Sequence, residues 1–526
     1  MKVLISDALS EDGLEILRKA GLDVIYKPGL SPEELKAEIA EVEGLIIRSG
    51  TKVTKEIIDS ARRLKVIGRA GTGLDNVDIQ AANERGIVVM NVPGGNTLSA
   101  AEHTLALLFA LARKIPQANA SVRAGKWERK KFMGVELNGK VLGIVGLGRI
   151  GSIVAERALC LKMQVLAYDP FVTPEAAAKK GLELVSLDEL YKRADFITVH
   201  TPLTKETHHL LNADAFAKMK EGVYVINCAR GGIIDESALY EAILSGKVAG
   251  AALDVFEKEP VPVEHPLLQL DQVIATPHLG ASTVEAQKVV AVEIAKQVVD
   301  FLISGIVRNA VNVPSISAEA LKVLQPVLNL AEKIGLLSAQ IAEGAIEEVE
   351  IIYKGELAGL ETKPVTLALV KGLLSPFLKE DVNYVNALFR AKERNIKVVE
   401  ATTEETEDFT SLISVKIRHT QGDTLVEGTL FGKKEPRIVR INGFRLDALP
   451  EGHMLYIFNE DKPGVIGKIG TILGKHRLNI SRMYVGQDPM KKRNVILLSL
   501  DQSPTKEAMA ELEREESVYL VKPLEL

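Results

Sequence analysis

Residues 139–158 of the chain, GKVLGIVGLGRIGSIVAERA, decide how its first half folds. The apolar run VLGIV predicts a buried strand, Gly146, Gly148 and Gly151 follow in GxGxxG spacing, and the stretch after them has the pattern of a helix. The next apolar run, QVLAYD, ends in Asp169. Glycine-rich turns between strands and helices also have purely structural uses, so the spacing alone is a weak signal. The strand, the helix and the acid together predict a dinucleotide-binding βαβ unit.

Each of these residues has a physical role in such a unit. Gly146 permits the tight turn, Gly148 lets the backbone approach a pyrophosphate, and Gly151 lets the helix pack closely on the strand. The helix N-terminus presents free N–H groups and a partial positive charge to the phosphates. A carboxylate at Asp169 would accept hydrogen bonds from the ribose hydroxyls and repel a 2′-phosphate, which favours NAD over NADP.

The pattern around this unit predicts the fold class. Short β-rich runs alternate with amphipathic helical stretches from residue 1 to about 305, as is typical of parallel sheets covered on both faces. The turn-rich NVPGGN at 91–96 divides the runs into two series. We therefore predict an α/β fold with two doubly wound, Rossmann-like lobes and a cleft between them. RNAVNVPSIS at 308–317 is typical of a linker, an α+β block follows it, and residues 452–526 run in the ferredoxin-like order βαββαβ.

The composition excludes several classes of protein. The chain has 526 residues, 46% of them hydrophobic and 26% charged, with a net charge of −5, which disfavours binding to nucleic acid or to a membrane surface. Only Cys160 and Cys228 could form a disulfide, and no CxxC pair suggests a metal site. The opening MKVLISDALS has no signal-peptide pattern. We therefore expect a cytoplasmic protein without a metal.

Three polar side chains follow strands of the second series. VYVINCAR ends at Arg230, GAALDVFEKEP contains Glu259, and DQVIATPH ends at His278. Each alone is more often an exposed or structural residue than a catalytic one. In a single parallel sheet, however, these strand ends would meet at one edge beside the dinucleotide, where ligands bind.

Hydride transfer between a nicotinamide and a secondary alcohol would give each of the three a role. A histidine suits the exchange of the hydroxyl proton because it titrates near neutral pH. A carboxylate beside it would orient the ring and favour its protonated form. An arginine can fork onto a substrate carboxylate and polarise the adjacent carbonyl. We therefore interpret His278 as the proton carrier, Glu259 as its partner and Arg230 as the substrate anchor.

Four stretches resemble the family of D-isomer-specific 2-hydroxyacid dehydrogenases: VLGIVGLGRIG, FITVHTPLTKET, MKEGVYVINCARGGIIDESAL and TPHLGAST. Others, such as GRAGTGLDNVD and GKWERKKFMGVELNGK, resemble its long-form branch, which begins phosphorylated serine biosynthesis. The resemblance implies NAD-dependent oxidation of 3-phospho-D-glycerate to 3-phosphohydroxypyruvate, with Arg230, Glu259 and His278 as the catalytic group. A reductase of glyoxylate or hydroxypyruvate would use the same three residues, and a NAD-sensing binding protein could share the fold. Both alternatives remain open from the residues alone.

The resemblance also implies the ligand-binding residues. Those expected to contact NAD are Thr72, Gly146, Gly148, Arg149, Ile150, Gly151, Asp169, Thr201, Cys228, Ala229, Arg230, Asp254, His278, Gly280 and Ala281. Those expected to contact the substrate are Arg48, Ser49, Gly50, Arg69, Asn96, Arg129, Lys131, Arg230 and His278. In the family, the segment that carries Arg129 and Lys131 reaches across a dimer interface into the partner's site. We therefore expect a homodimer or homotetramer.

The same likeness predicts four domains, the first of them discontinuous. Residues 1–96 and 286–313 would form the substrate-binding domain, 97–285 the NAD-binding domain, 314–450 the intervening α+β domain, and 452–526 a regulatory domain. This last segment resembles an ACT domain, a ligand-sensing module of amino-acid metabolism. The positions that match its effector site are Asn459, Asp461 and Asn479, which implies L-serine as the effector, although an ACT fold can also serve only for oligomerisation. An anion site around Arg437, Arg440 and Arg445 is a weaker alternative to a solvated charged surface.

Overall fold

The computed structural model describes residues 1–313, 318–379, 382–406, 408–488 and 492–526. Its first lobe is a parallel sheet in the order β2-β1-β3-β4-β5, and the buried apolar side chains of these strands face helices on both sides. The elements of this lobe are β1 (Lys2–Ile5), α1 (Glu11–Lys19), β2 (Asp23–Tyr26), α2 (Pro32–Ile39), β3 (Gly44–Ile47), α3 (Lys55–Ser60), β4 (Val66–Arg69), α4 (Ile79–Arg85) and β5 (Val88–Met90).

The second lobe is a longer parallel sheet in the order β12-β11-β10-β9-β6-β7-β8. The order reverses beside β6, since β7 pairs with one edge of β6 and β9 with the other, and ligands bind at such a reversal. The elements are α5 (Thr97–Arg113), α6 (Ile115–Arg123), β6 (Val141–Val145), α7 (Arg149–Cys160), β7 (Gln164–Tyr168), α8 (Pro174–Ala178), β8 (Glu183–Leu184), α9 (Leu187–Arg193), β9 (Phe196–Val199), α10 (Ala213–Lys218), β10 (Val223–Asn227), α11 (Glu236–Leu244), β11 (Val248–Leu253) and β12 (Val273–Ala275).

Helix α12 (Val284–Ser304) returns the chain to the first lobe. It packs against α1 and β4, where Gly68 leaves room for it: a Cβ at Gly68 would come within 2.9 Å of Ile294 and Val298. The chain then runs along β5, where the Val311 N–H donates to the Val89 carbonyl at 2.9 Å. The predicted linker at 308–317 thus begins as a docked segment, and its residues 314–317 lie outside the described residues.

The third unit packs two long helices, α13 and α14, on a mixed sheet in the order β14-β13-β15-β16-β17-β18. Its elements are α13 (Ala318–Ile341), β13 (Ile346–Gly355), α14 (Lys363–Leu378), α15 (Ala387–Glu393), β14 (Lys397–Thr403), β15 (Ser411–His419), β16 (Gly422–Phe431), β17 (Glu435–Ile441) and β18 (Phe444–Ala448). Three arginines of the last strands are each ion-paired: Arg437 with Glu435, Arg440 with Glu427 and Arg445 with Asp408.

The last unit has the predicted order βαββαβ: β19 (His453–Glu460), α16 (Val465–Lys475), β20 (Ile480–Asp488), β21 (Arg493–Leu500), α17 (Lys506–Glu513) and β22 (Val518–Glu525). Both helices cover one face of its sheet, whereas the other face buries Met454, Tyr456 and Leu497 in the core of the third unit. The predicted fold class is therefore confirmed. Within the described part of the chain, no helix is both long and apolar enough to cross a bilayer.

Candidate active site

The ends of β10, β11 and β12 bring the predicted catalytic residues to one edge of the second sheet. His278 follows β12, and its Nδ1 lies 2.8 Å from Glu259 Oε2. Glu259 Oε1 also accepts the Phe256 N–H at 3.1 Å. Burial favours the neutral carboxyl, but the His278 hydrogen bond and the Phe256 N–H outweigh it and hold the pKa of Glu259 below its usual value. An ionised Glu259 accepts a hydrogen bond from an N–H at Nδ1, so Nε2 is the ring nitrogen left for chemistry.

A buried carboxylate holds the loop that carries His278. Asp254, 1% exposed, accepts the N–H groups of Leu279 at 2.7 Å and Gly280 at 2.8 Å, and its backbone carbonyl accepts that of His278. Burial opposes ionisation, yet hydrogen bonds from His103, Thr276 and Leu279 together lower the pKa of Asp254 below its usual value. These contacts stabilise His278 at φ +55°, a left-handed conformation that costs a non-glycine residue roughly 1–2 kcal/mol.

The turn after β10 positions Arg230. Asn227 is buried, and its side chain donates to the Arg230 carbonyl at 2.8 Å and accepts the Ala229 N–H at 2.9 Å. Gly231 lies directly against the Phe256 carbonyl and leaves no room for a Cβ. The loops that carry Arg230 and Glu259 therefore touch through their backbones.

A cavity of about 540 Å³ lies between the two lobes, on the carboxyl side of the second sheet. The predicted ligand-binding residues that line it are Thr72, Asn96, Arg149, Ile150, Thr201, Cys228, Ala229, Arg230, Asp254, His278 and Gly280. Burial raises the pKa of the Cys228 thiol to about 12, so Cys228 lines this cavity as a neutral thiol and does not act as a nucleophile. Burial likewise lowers the pKa of His200, another wall residue, to about 4.

The glycine loop fits a dinucleotide on its own geometry. Gly146 has φ +98°, and a Cβ there would press on the His200 carbonyl at 2.8 Å. Gly151 leaves no room for a Cβ against the Gly146 carbonyl, whereas a Cβ at Gly148 would meet no atom within 4 Å in the described residues. The middle glycine thus faces open space at the N-terminus of α7, as a site for a pyrophosphate requires.

Asp169 follows β7, and a backbone N–H group holds each of its two carboxylate oxygens. Oδ2 accepts the Leu147 N–H from the glycine loop and Oδ1 the Phe171 N–H, each at 2.8 Å. A carboxylate oxygen accepts more than one hydrogen bond, so both oxygens retain capacity for ribose hydroxyls. Gly146, Gly148, Gly151, Asp169 and Ala281 are not among the residues that line the cavity; the glycine loop adjoins it through Arg149 and Ile150, and Ala281 directly follows the lining residue Gly280.

A second cavity, of about 300 Å³, adjoins the first at Arg230 and His278. Ser49, Arg69 and Glu259 line it, together with Lys52, which the sequence did not single out. Burial and the nearby Arg230 lower the pKa of Arg69 to about 10, which still leaves it charged at neutral pH. Among the described atoms, Arg69 Nε is buried without a hydrogen-bond partner. Three acids, Asp75, Glu257 and Glu259, line the same cavity, so its cations are partly balanced. The buried, unsatisfied Arg69 is the group that suits a second anionic group on the substrate.

Four predicted substrate residues lie outside both cavities. Arg48 Nη1 donates to the Ala8 carbonyl at 3.3 Å, and a Cβ at Gly50 would meet Asp7. Arg129 stacks over Trp127, and Lys131 lies over Phe132 beside a separate cavity of about 460 Å³. The trio and most of the predicted cofactor residues therefore line the two adjoining cavities within one chain, whereas Arg129 and Lys131 do not.

The predicted effector residues lie at opposite ends of the last sheet. Asn459 and Asp461 lie where β19 leads into the N-terminus of α16, and Asn479 lies between the C-terminus of α16 and β20. Asn459 is fully buried, and its amide Oδ1 has no hydrogen-bond partner in the described part of the chain. Asp461 accepts the Asn494 amide at 3.0 Å. Asn479 is exposed next to β20, and its backbone N–H donates to Asp501.

Sequence reasoning missed several residues that the structure places at the site, namely Lys52, Asp75, His103, His200 and Asn227. A polar residue inside an apolar run was the available signal for Asn227 and His200. His103 lies on α5, 18% exposed, and reaches Asp254 only because α5 packs behind that loop. No local pattern predicts such a contact.

Three family models match the chain. They are the D-isomer specific 2-hydroxyacid dehydrogenase NAD binding domain over residues 105–280, the D-3-phosphoglycerate dehydrogenase intervening domain over 323–442, and the ACT domain over 453–517. The D-3-phosphoglycerate dehydrogenase of Archaeoglobus fulgidus is 49% identical over 97% of this chain and 97% of its own, and that of Methanocaldococcus jannaschii is 45% identical over 97% of each. A solved D-lactate dehydrogenase from Aquifex aeolicus, complexed with NAD and lactic acid, is 33% identical with a TM-score of 0.52, over 60% of this chain and 100% of its own.

Proposed function

Since the chain belongs to the D-3-phosphoglycerate dehydrogenase family, a branch of the D-isomer-specific 2-hydroxyacid dehydrogenases, we propose that it oxidises 3-phospho-D-glycerate to 3-phosphohydroxypyruvate with NAD. The observation that carries the proposal is the meeting of His278, Glu259 and Arg230 between two cavities. One cavity suits the dinucleotide, and the other gathers Arg69 and Lys52 for the phosphate. The names of the relatives also favour the phosphorylated acid over glyoxylate or hydroxypyruvate.

The residues of the chain divide the reaction between them. When bound, NAD supplies the acceptor for the hydride that leaves the substrate carbon. His278 Nε2 receives the hydroxyl proton, because Glu259 keeps the other ring nitrogen protonated. Arg230 holds the substrate carboxylate and stabilises negative charge on the reacting oxygen. One hydride and one proton thus leave the alcohol, and a ketone remains.

The test is NADH oxidation with phosphohydroxypyruvate, hydroxypyruvate and glyoxylate as competing substrates. We expect the highest kcat/KM with phosphohydroxypyruvate and a loss of kcat of about 10²–10⁴-fold in His278→Ala. His453→Ala is a matched control, because His453 forms a similar pair with Glu525 at 2.7 Å, remote from both cavities, and should leave the rate unchanged. Preference for an unphosphorylated acid would refute the substrate, and full activity of His278→Ala would refute the proton carrier.

We further propose that L-serine regulates the enzyme through the ACT domain. The orphaned Asn459 amide oxygen and the Asp461 carboxylate would receive an ammonium group, and Asn479 would contact the ligand from a second copy. Titration of activity against L-serine tests this. Inhibition by L-serine that is weakened in Asn479→Ala supports the effector site, and activity independent of L-serine contradicts it.

Assembly into a homodimer or homotetramer belongs to the same proposal. The segment that carries Arg129 and Lys131 exposes Trp127 at 74% and Met133 at 75%, more apolar surface than a lone chain needs to expose. Light scattering with Trp127→Lys tests it. Dissociation to monomers with loss of activity supports a shared site, whereas a monomeric, active wild-type enzyme refutes it.

A further inference from the structure

The turn after β4 carries an acidic residue that reaches from the first lobe into the second. Asp75 Oδ2 lies 2.9 Å from Arg230 Nε, on the turn after β10. The Asp75 side chain is 69% exposed and that of Arg230 31% exposed, and both residues line both cavities. The carboxylate of Asp75 therefore lies against the guanidinium assigned to the substrate, and it comes from the opposite lobe.

The other contacts of Arg230 show which edge of the guanidinium Asp75 takes. Nη1 donates to the Ala229 carbonyl at 2.6 Å, and Nη2 occupies the space that a Cβ on Gly73, two residues before Asp75, would take. The edge of the guanidinium that carries the Nε–H thus faces the first lobe. The second N–H groups of Nη1 and Nη2, at the end of the fork, are left for a ligand.

We infer that Asp75 is a positioning residue for the reaction: it fixes the Nε edge of Arg230 so that the end of the guanidinium faces the substrate carboxylate. The inference rests on the proposed function, in which Arg230 anchors that carboxylate. Because arginine has several rotatable bonds, an unheld side chain would have to be ordered at the moment of binding, which costs affinity.

Asp75 also balances charge in the smaller cavity. Its carboxylate favours the charged form of Arg69, while Arg230 disfavours it, so the acid offsets part of the repulsion between the two guanidiniums. The other acids that line this cavity are Glu257, which pairs with His209 at 3.0 Å, and Glu259, which is paired with His278. Asp75 is therefore the acid of this cavity whose described partner is an arginine.

The pair joins two lobes, so it forms only when they lie as close as they do here. Removal of Asp75 should leave each lobe intact, because its side chain is largely exposed and neither caps a helix nor pairs with a strand. Because Asp75 and Arg230 also line the dinucleotide cavity, binding of the dinucleotide should weaken slightly, and binding of the carboxylated substrate should weaken much more.

The experiment compares Asp75→Ala and Asp75→Asn in the full-length enzyme, with Asp59→Ala as the control. Asp59 lies on α3 of the same lobe, is 51% exposed, and pairs with Lys55 at 3.9 Å, so this variant makes the same change of charge away from both cavities. The measurements are KM and kcat for phosphohydroxypyruvate, Kd for NADH by fluorescence, and the thermal midpoint.

We expect Asp75→Ala to raise KM at least about tenfold, with a much smaller rise in the NADH Kd and an unchanged thermal midpoint. Asp75→Asn should recover part of the affinity, because its amide oxygen still accepts from Nε. Unchanged KM in Asp75→Ala, or equal losses of NADH and substrate binding, would overturn the inference. A wild-type enzyme without activity on phosphohydroxypyruvate would instead refute the proposed function.

Discussion

Gly73→Ala should lower kcat/KM about 100-fold without unfolding the enzyme. A Cβ at Gly73 would overlap Arg230 Nη2 and would lie 3.0 Å from Asp75 Oδ2, against 3.4 Å or more for ordinary contact. Gly73 is not among the residues with positive φ, so alanine can adopt its backbone conformation. The atom that has to move is the end of a flexible side chain, and the backbone can stay in place.

The magnitude follows from this displacement. The guanidinium has to retreat by on the order of 1 Å to restore ordinary contact, and a misplacement of that size costs about 10²-fold in rate. This corresponds to roughly 2.7 kcal/mol of lost transition-state stabilisation. The free energy of unfolding should change by less than about 1 kcal/mol, because alanine also restricts the unfolded chain.

The assay is steady-state NADH oxidation with phosphohydroxypyruvate, together with thermal unfolding. Gly359→Ala is the matched control, since no atom in the described part of the chain lies within 4 Å of its Cβ position and its φ is also not positive. We expect kcat/KM to fall about 100-fold in Gly73→Ala and to stay unchanged in Gly359→Ala. A stable Gly73→Ala enzyme with wild-type kcat/KM would show that Arg230 does not depend on this close contact.

Three other changes test separate parts of the site. Gly148→Ala should fold normally but raise the NADH Kd at least about tenfold, because its Cβ enters the open space beside the N-terminus of α7; unchanged NADH affinity in a titration would contradict this. Glu259→Gln should lower kcat about 100-fold with little change in KM, since a neutral amide stabilises less well the positive charge that the His278 ring gains when it takes the hydroxyl proton. A hydride-transfer rate equal to that of the wild type in rapid kinetics would contradict this. The pKa of His200 in the folded protein, about 4, lies below the ordinary value near 6.5. The stability that burial of neutral His200 contributes is therefore fully present above pH 6.5, and up to about 3 kcal/mol of the free energy of unfolding is lost as the pH falls to 4. His200→Asn should flatten that loss, and equal acid sensitivity of both proteins in thermal unfolding would contradict it.

The fold and the cofactor site could be predicted because their signals are local. The glycine spacing, the apolar strands and Asp169 depend on the geometry of one βαβ unit, and the unit forms as the sequence requires. The convergence of Arg230, Glu259 and His278 needed one further step. Carboxyl ends of parallel strands share an edge, so three separate strand ends imply one site.

The direction of long side chains could not be predicted in the same way. Arg48 was expected at the substrate, but its guanidinium turns to the Ala8 carbonyl, whereas Lys52, four residues later, lines the cavity. Both follow β3, so position along the chain does not distinguish them. The direction of the Arg48 side chain depends on the loop after the neighbouring strand β1, which comes within reach only in the packed lobe.

The proposed site is divided between two lobes, and this division explains where sequence reasoning ended. Arg230, Glu259 and His278 come from the second lobe, while Asp75 and Arg69 come from the first. The residues of one lobe can be related through strand order, but a contact such as Asp75–Arg230 depends on how the lobes approach each other. Helix α12 and the docked segment after it tie the chain back to the first lobe, so that approach also depends on contacts between segments distant in the sequence. The residues that we propose for the chemistry could therefore be predicted from the sequence, whereas the residues proposed to position them are found only in the assembled pair of lobes.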